Sequence, residues 1–344
     1  MKKYLLPKGH HYKANLHSHS TVSDAKLPVE AVAKAYKEQG YHILAMTDHE
    51  ILRDHSHLSD ENFIMITAYE MTVREQPKTT NTNKVCHLNL YARDPHNVAQ
   101  VQFDKALSIR YAQYGDEIPF DIDTLQMATP TDERTHTREY VNKLIAEAKE
   151  HGFIVCYNHP TWSNESQEDF VHLQGLCAME IVNYGSLAAG LWEYNVHEYD
   201  AMLRAGQRIM CLATDDNHND YPFGHPQCDS FGGWTVLSMP SLSYDNVIQA
   251  MENGDGYAST GPAIEEIYYD TDDGKVHIKT SPAYKIILNS AGRRRTLACS
   301  PDGSPITEAA LSIVADTPYV RVTVDDGKGG YAFSRGYFLD EFID

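Results

Sequence analysis

Two histidines one residue apart, His17 and His19, are followed by Asp24. On an extended chain, residues i and i+2 project from the same face, so both imidazoles can clasp one metal ion. Ala14-Asn15-Leu16 reads as a short buried strand, which places the ligands where a strand gives way to a loop. His-x-His alone is a weak signal, but the arrangement recurs. Ile43-Leu44-Ala45-Met46-Thr47 stops at Asp48-His49, and Phe63 to Ala68 stops at Tyr69-Glu70. Val85 to Leu90 carries His87 within a strand-like run, and Phe153 to Tyr157 ends at Asn158-His159-Pro160. Met179-Glu180-Ile181-Val182 ends at Asn183, and Ile209 to Thr214 ends at Asp215-Asp216-Asn217-His218. Imidazole and carboxylate donors without a thiolate suit Zn, Mn or Fe. Other histidines, among them His10, His11, His55, His57, His96, His151, His172 and His277, lack this placement and read as ordinary.

Continuous apolar runs of this length suit parallel strands covered on both faces. Helical patterns lie between several of them. Pro28 to Gly40 puts Val29, Val32, Ala33 and Tyr36 on one side, with Pro near its start and Gly at its end. Tyr140 to Gly152 carries Val141, Leu144, Ile145 and Ala148 on one stripe, and Ser243 to Gly254 carries Val247, Ile248 and Met251 behind a candidate N-cap, Ser243. This rhythm is that of an α/β parallel barrel or a doubly wound sheet. In a barrel, the C-terminal strand ends converge on one pocket, which would gather His17, His19, His49, Glu70, His87, His159, Asp216 and His218.

In their order, His17-Ser18-His19 with Ser23-Asp24, Thr47-Asp48-His49, Glu70, His87, Asn158-His159-Pro160 and Asp216-Asn217-His218 resemble the successive motifs of the PHP (polymerase and histidinol phosphatase) superfamily over residues 12–262. The resemblance implies a distorted (β/α)7 barrel with two or three divalent metal ions at its C-terminal face. It implies one metal on His17, His19, Glu70 and Asp216, a second on Glu70, His87 and His159 with Glu70 bridging, and a third on Asp24, His49 and His218. The last motif departs from the family pattern, because Asp215 stands where a small residue is usual. This leaves a register ambiguity, and Asp216 is favoured because it keeps Asp-x-His intact. Phe231-Gly232-Gly233-Trp234-Thr235 and Gly256 to Pro262 are similar to the carbaryl-hydrolase-like branch, whose members often carry a small β-domain after this point.

Beyond Thr260-Gly261-Pro262 the pattern changes to short β-rich runs separated by turn clusters. Val320, Val322 and Val324 alternate with Arg321 and Thr323, the signature of a half-buried antiparallel strand. The expected organisation is therefore a hydrolase barrel over residues 1–262, with an insertion at about 93–137, and a small β-sandwich over 263–344. Arg293-Arg294-Arg295 sits on a turn and could meet an anion or simply be solvated. In the insertion and just after it, Arg134 and Arg138 could face a phosphate or lie on the surface. Trp162 could wall an organic leaving group or pack in a core.

With 29 Lys and Arg against 48 Asp and Glu, the chain of 344 residues has a net charge of −19, which repels polyanions and argues against general nucleic-acid binding. No run reaches the length of a membrane helix, the N-terminal apolar stretch is too short for a signal peptide, and the six cysteines lack any CxxC spacing, so the cytoplasm is the expected location. The oligomeric state has no sequence signal. The expected function is hydrolysis of a small anionic molecule, a phosphate ester, by a hydroxide bridging two metals over Glu70, with Asp216 on the first metal. Asp48 and Asp215 stand beside ligands and could orient them or a bound water, while Asp48 could equally cap or pack. Three divalent ions outweigh the carboxylates Asp24, Glu70 and Asp216, and a hydroxide with a phosphomonoester dianion would balance the remainder. The alternative is a metallohydrolase of carboxylic ester, amide or carbamate bonds using the same cluster. A third reading is a non-enzymatic, metal-stabilised interaction module.

Overall fold

The computed structural model describes residues 1–75, 82–104 and 124–343. Residues 105–123 of the insertion lie outside the described residues.

The first strands are β1 (Lys2–Tyr4), β2 (His10–Asn15), β3 (Ile43–Met46), β4 (Ile64–Arg74) and β5 (Val85–Ala92). Two-residue β6 (Ala99–Gln100) and β7 (Gln126–Met127) pair with each other. Then come β8 (Phe153–Tyr157), β9 (Ala178–Asn183), β10 (Met210–Thr214), β11 (Trp234–Met239) and β12 (Gly256–Ser259). Among the described residues the α-helices are α1 (Val29–Glu38), α2 (Arg138–Glu150), α3 (Gln167–Phe170), α4 (Tyr184–Ala188), α5 (Val196–Arg204) and α6 (Tyr244–Asn253). The expected stripes are their buried faces: Val29, Val32, Ala33 and Tyr36 on α1, and Val141, Leu144, Ile145 and Ala148 on α2. Ser243 caps α6 by accepting from Asn246 N, and Gly254 closes it at φ 72°, a left-handed conformation that favours glycine.

A large mixed sheet runs in the order β10-β9-β8-β5-β4-β3-β2-β11-β12. It curls so that the segment after β10 meets the segment after β2 at the site. Asp216 N donates to His17 O at 2.9 Å, and His19 N donates to Asn217 O at 3.1 Å. At the other end the β11–β12 hairpin stands beside β10, where the Thr235 hydroxyl bonds both Ala213 N and Ala213 O in place of a regular ladder. Parallel pairing holds for β2–β3–β4 and β8–β9–β10. It fails at β5, which is antiparallel to both β4 and β8. The expected all-parallel run is thus corrected. The β4 strand does not stop at Glu70 but continues through Met71 and Val73, both buried, so β5 returns as its hairpin partner and no crossover helix is needed.

The remaining strands are β13 (Ile264–Asp270), β14 (Lys275–Ala283), β15 (Lys285–Ser290), β16 (Arg295–Ala298), β17 (Ile306–Ser312), β18 (Tyr319–Asp325), β19 (Tyr331–Ser334) and β20 (Tyr337–Phe338). A separate smaller sheet has the order β1-β13-β14-β17, so the first strand of the chain joins it. The large sheet continues from β12 through β19, β18 and β15 to β16. Val276, Ile278, Ile286, Leu288, Val320, Val322 and Val324 share the apolar interior of this region. Among the described residues, no helix is long and apolar enough to cross a membrane.

Candidate metal centre

The expected ligands arrive from strands or their ends, except Asp24, which a loop carries. His17 and His19 follow β2, His49 follows β3, and Asp216 and His218 follow β10. Glu70 and His87 reach the site from within strands. Thr72 pairs with His87 across β4 and β5, and Glu70 lies two residues before Thr72 on the same face, so Glu70 Oε1 comes 3.0 Å from His87 Nδ1. Three positions beside strand ends hold left-handed backbone: Glu50 at φ 62°, His159 at φ 23° and Asp216 at φ 50°. Such conformations cost free energy in non-glycine residues, of order 1–3 kcal/mol each, and cluster where structure serves a site.

His17, His19, Glu70 and Asp216 form one convergent set. Asp216 Oδ1 lies 3.1 Å from His17 Nε2 and 2.9 Å from His19 Nε2. Glu70 Oε1 lies 3.3 Å from His17 Nε2, and Oε2 lies 3.5 Å from His19 Nε2. Donors about 2.1 Å from a common ion stand about 3.0–3.4 Å apart in octahedral or tetrahedral arrangement, so these spacings fit one. His49, Glu70 and His87 form a second set, and His19, Asp24, His49 and His218 a third. His159 Nε2 is 3.3 Å from Glu70 Oε1, and His159 also groups with His17 and Glu180. The expected ligands therefore meet in one place, with Glu70 shared between sets and His49 between Glu70 and Asp24.

The orphaned atoms test the fit. His49 Nδ1 is 2.9 Å from Glu70 Oε2, yet neither atom makes a hydrogen bond, and His87 Nδ1 and Asp24 Oδ1 are likewise buried without one. Unsatisfied buried donors and acceptors are costly; one cation would satisfy His49 Nδ1, Glu70 Oε2 and His87 Nδ1, and a second, among His19, Asp24, His49 and His218, would satisfy Asp24 Oδ1. The opposite ring nitrogens are taken. His17 Nδ1 bonds Glu180 Oε1 at 2.6 Å, His87 Nε2 bonds the Thr72 hydroxyl, His159 Nδ1 the Ser163 hydroxyl, His19 Nδ1 the Ser23 hydroxyl, and His218 Nδ1 the Asp216 carbonyl. Outer partners of this kind fix ring orientation and aim the free nitrogen at the centre.

Charge follows the same plan. Burial pushes Glu70 and Asp216 up, but the surrounding imidazoles hold both carboxyls well below the usual range. Burial lowers His19 to about 4, with His218 and His49 adding to the fall, which leaves the neutral ring a metal ligand requires. His159 stands at about 9 and His218 at about 10; burial lowers both, and neighbouring carboxylates more than reverse it. The negative charge that draws those protons is the charge that would hold a cation.

Asp48 and Asp215 do not face the donors. Asp48 accepts from the backbone and hydroxyls of Ser20 and Ser23, shaping the loop that carries Asp24. Asp215 accepts from the Tyr36 hydroxyl and from Phe231 N, Gly232 N and Gly233 N. Burial pushes its carboxyl up to about 6 against those four donors. A cavity of about 350 Å³ opens over the cluster. Trp162, 46% exposed, lines it with its ring 5.0 Å from His159 and 5.4 Å from His87. Arg134 and Arg138 do not line it. Arg134 is buried, with Nη1 and Nη2 donating to Glu50 at 2.6 and 2.9 Å, and Arg138 lies exposed beside Glu139.

Sequence reasoning passed over Glu180, Asn158 and Asn183. Glu180 also accepts from His159 N, Asn183 and Thr214; Asn158 donates to Glu70 Oε1 at 2.8 Å, and Asn183 to Asp216 Oδ2 at 3.0 Å. The signal for Glu180 was a lone acid inside an otherwise apolar run.

No family model matches the chain, and no curated protein matches it. Among solved structures, the chain is similar to a two-domain protein from Bacteroides vulgatus containing a predicted PHP-like metal-dependent phosphoesterase, at 15% identity and a TM-score of 0.47 over 94% of each chain. It is also similar to a protein from Bifidobacterium adolescentis named as a candidate metal-dependent phosphoesterase, at 14% identity and a TM-score of 0.40, covering 63% of this chain and 92% of that one. An amidohydrolase from Chromobacterium violaceum with bound sulfate and no metal matches at 14% identity and a TM-score of 0.41, over 60% of this chain and 87% of that one. At these scores the likenesses are loose.

Proposed function

We propose that the chain is a metal-dependent hydrolase of the PHP kind, its curled sheet a distorted (β/α)7 barrel, that cleaves a small-molecule phosphate ester. The observation that carries this is the convergence of His17, His19, Glu70 and Asp216 beside buried donors that lack any hydrogen bond. Two or three divalent ions, once bound, supply Lewis acidity and a hydroxide nucleophile at neutral pH. The chain's own residues hold and orient. Glu180 fixes the His17 ring, Asn158 and Asn183 fix the Glu70 and Asp216 carboxylates, and Trp162 walls the space beside His159 and His87 for the leaving group. Asp48 keeps Asp24 in place through the serine loop. The phosphoryl group suits the excess positive charge that such ions would leave over Asp24, Glu70 and Asp216.

One observation favours a second reading, hydrolysis of a carboxylic ester, amide or carbamate. Among the described residues lining the cavity there is no Lys or Arg, and Asp220 and Asp229 add negative charge to its rim. Recognition of a phosphate would then fall to the metals alone. Two measurements test the proposal. Elemental analysis of protein never exposed to chelator should find about two or more transition-metal ions per chain, and a value well below one would sink the cluster. A screen of phosphomonoesters beside aryl esters and carbamates then decides the bond. Metal-replete protein that ignored every phosphoester and cleaved carbamates would establish the second reading.

A further inference from the structure

The strands of the large sheet beyond β12 present two faces. Ile286, Leu288, Val320, Val322 and Val324 point into the apolar interior shared with the smaller sheet. Alternate residues point the other way. Asn289 lies opposite Arg295 on one side and opposite Arg321 on the other, so these three side chains share that second face. This face would be wet in an isolated sandwich, but here it meets α5 and the segment before it. Arg321 is 2% exposed, and its Nε and Nη2 donate to Asp200 on α5 at 2.7 and 2.8 Å. The contact is incomplete. It leaves a cavity of about 330 Å³, which shares no lining residue with the cavity over the metal centre. This is the size of a small-molecule site, and junctions of this type are where such sites concentrate.

One wall is aromatic. Trp192 and Tyr194 lie 5.1 Å apart, Tyr194 and Tyr331 5.6 Å, and Tyr331 and Phe333 6.0 Å. The Trp192 indole is 73% exposed at the mouth. The opposite rim is cationic. Arg294 and Arg295 line it, and no ion pair engages their guanidinium groups among the described residues. The acid at the floor, Asp200, is already matched by Arg321. In a chain of net charge −19, a cleft with two uncommitted arginines beside four aromatic rings is a local reversal of sign.

We propose that this cleft is a second ligand site, taking a small aromatic anion: a flat ring against the Trp192–Phe333 wall and a carboxylate or phosphate on Arg294 and Arg295. Aromatic rings reward a planar ligand by stacking and edge contacts, and guanidinium groups bind planar or tetrahedral oxyanions in two-point fashion.

Calorimetric titration of the metal-loaded full chain tests it with 1-naphthoate and 1-naphthylmethylphosphonate as probes, neither of them hydrolysable. Neutral 1-naphthamide and ring-free acetate are the comparators. At least one naphthyl anion should bind about tenfold or more tightly than both comparators, and the better of the two names the anionic group. Arg294→Gln with Arg295→Gln should bring the anion down to the level of naphthamide. Trp192→Ala should weaken every ring probe about tenfold, with metal content and hydrolysis by the metal centre unchanged. Anion binding that survived both substitutions would place the probe on the metals and overturn the proposal. So would the absence of any binding up to about 10 mM.

Discussion

His17 is gripped from both sides: Nε2 faces the donor cluster, and Nδ1 bonds the Glu180 carboxylate at 2.6 Å. The carboxylate fixes the tautomer that leaves Nε2 free to ligate and raises its basicity. Glu180→Gln keeps the size and two hydrogen-bond partners but weakens that grip, so metal affinity should fall about tenfold to a hundredfold, with activity partly restored by excess metal. Unchanged affinity in a competitive chelator titration would make Glu180 a packing residue. The two adjacent aspartates give a sharper contrast. Asp216 Oδ1 stands within reach of both His17 and His19, whereas Asp215 is turned toward Tyr36 and the Phe231–Gly233 backbone. Asp216→Asn should cost roughly a thousandfold or more in rate, since it would remove a ligand charge from a metal held by His17, His19 and Glu70. Asp215→Asn should cost about tenfold to a hundredfold, acting only through the position of its neighbour. A larger loss at Asp215 would overturn the register of the last motif.

Between the strand ends, the element that braces the site is the Glu50–Arg134 pair. Glu50, held at φ 62° directly after His49, accepts from Arg134 and from Thr72 N, while Arg134 also donates to Thr72 O. Since the Thr72 hydroxyl bonds His87 Nε2, this one pair ties the insertion to two histidines of the donor cluster. Arg134→Met would strand a buried carboxylate and should cost about 3–5 kcal/mol of stability in urea unfolding, part of it recovered by adding Glu50→Gln. A fully stable Arg134→Met protein with a weakened KM for substrate would return Arg134 to a substrate role. Sequence could not show this pairing, because its partners lie 84 residues apart and nothing local marks either one. Most ligand positions were legible for the opposite reason: His17, His49, His159 and Asp216 sit where an apolar run breaks, and a break of period is a local signal. The direction of β5 was not legible. A short apolar run reads the same in a parallel or an antiparallel ladder, and only the continuation of β4 past Glu70 decides it.

At the scale of the whole molecule, the alternation in β18 gave the half-buried pattern of Arg321 and Thr323 but not what covers them. That depends on α5 and Asp200, 121 residues away. The consequence is mechanical. The large sheet passes unbroken from β12 to β19, with Tyr257 paired to Ser334 and Ser259 to Ala332. The first strand of the chain, β1, is stitched to β13, where Lys3 pairs with Tyr269. Arg321 buried against Asp200 adds a charge pair that neither part could leave open without an unpaired buried ion. Two parts joined by a shared sheet, an exchanged strand and a buried ion pair should unfold together, unlike domains that meet across a small polar surface. The metal-loaded chain of 344 residues should therefore show one calorimetric transition, with van't Hoff and calorimetric enthalpies in agreement. A chain cut after Pro262 should lose the cooperative transition, because β12 and β1 would both be left as open edges. Two separated transitions in the intact chain, or a cut chain that melts cooperatively after metal loading, would show that the part before residue 263 stands alone and that the continuous sheet is only a contact between independent parts.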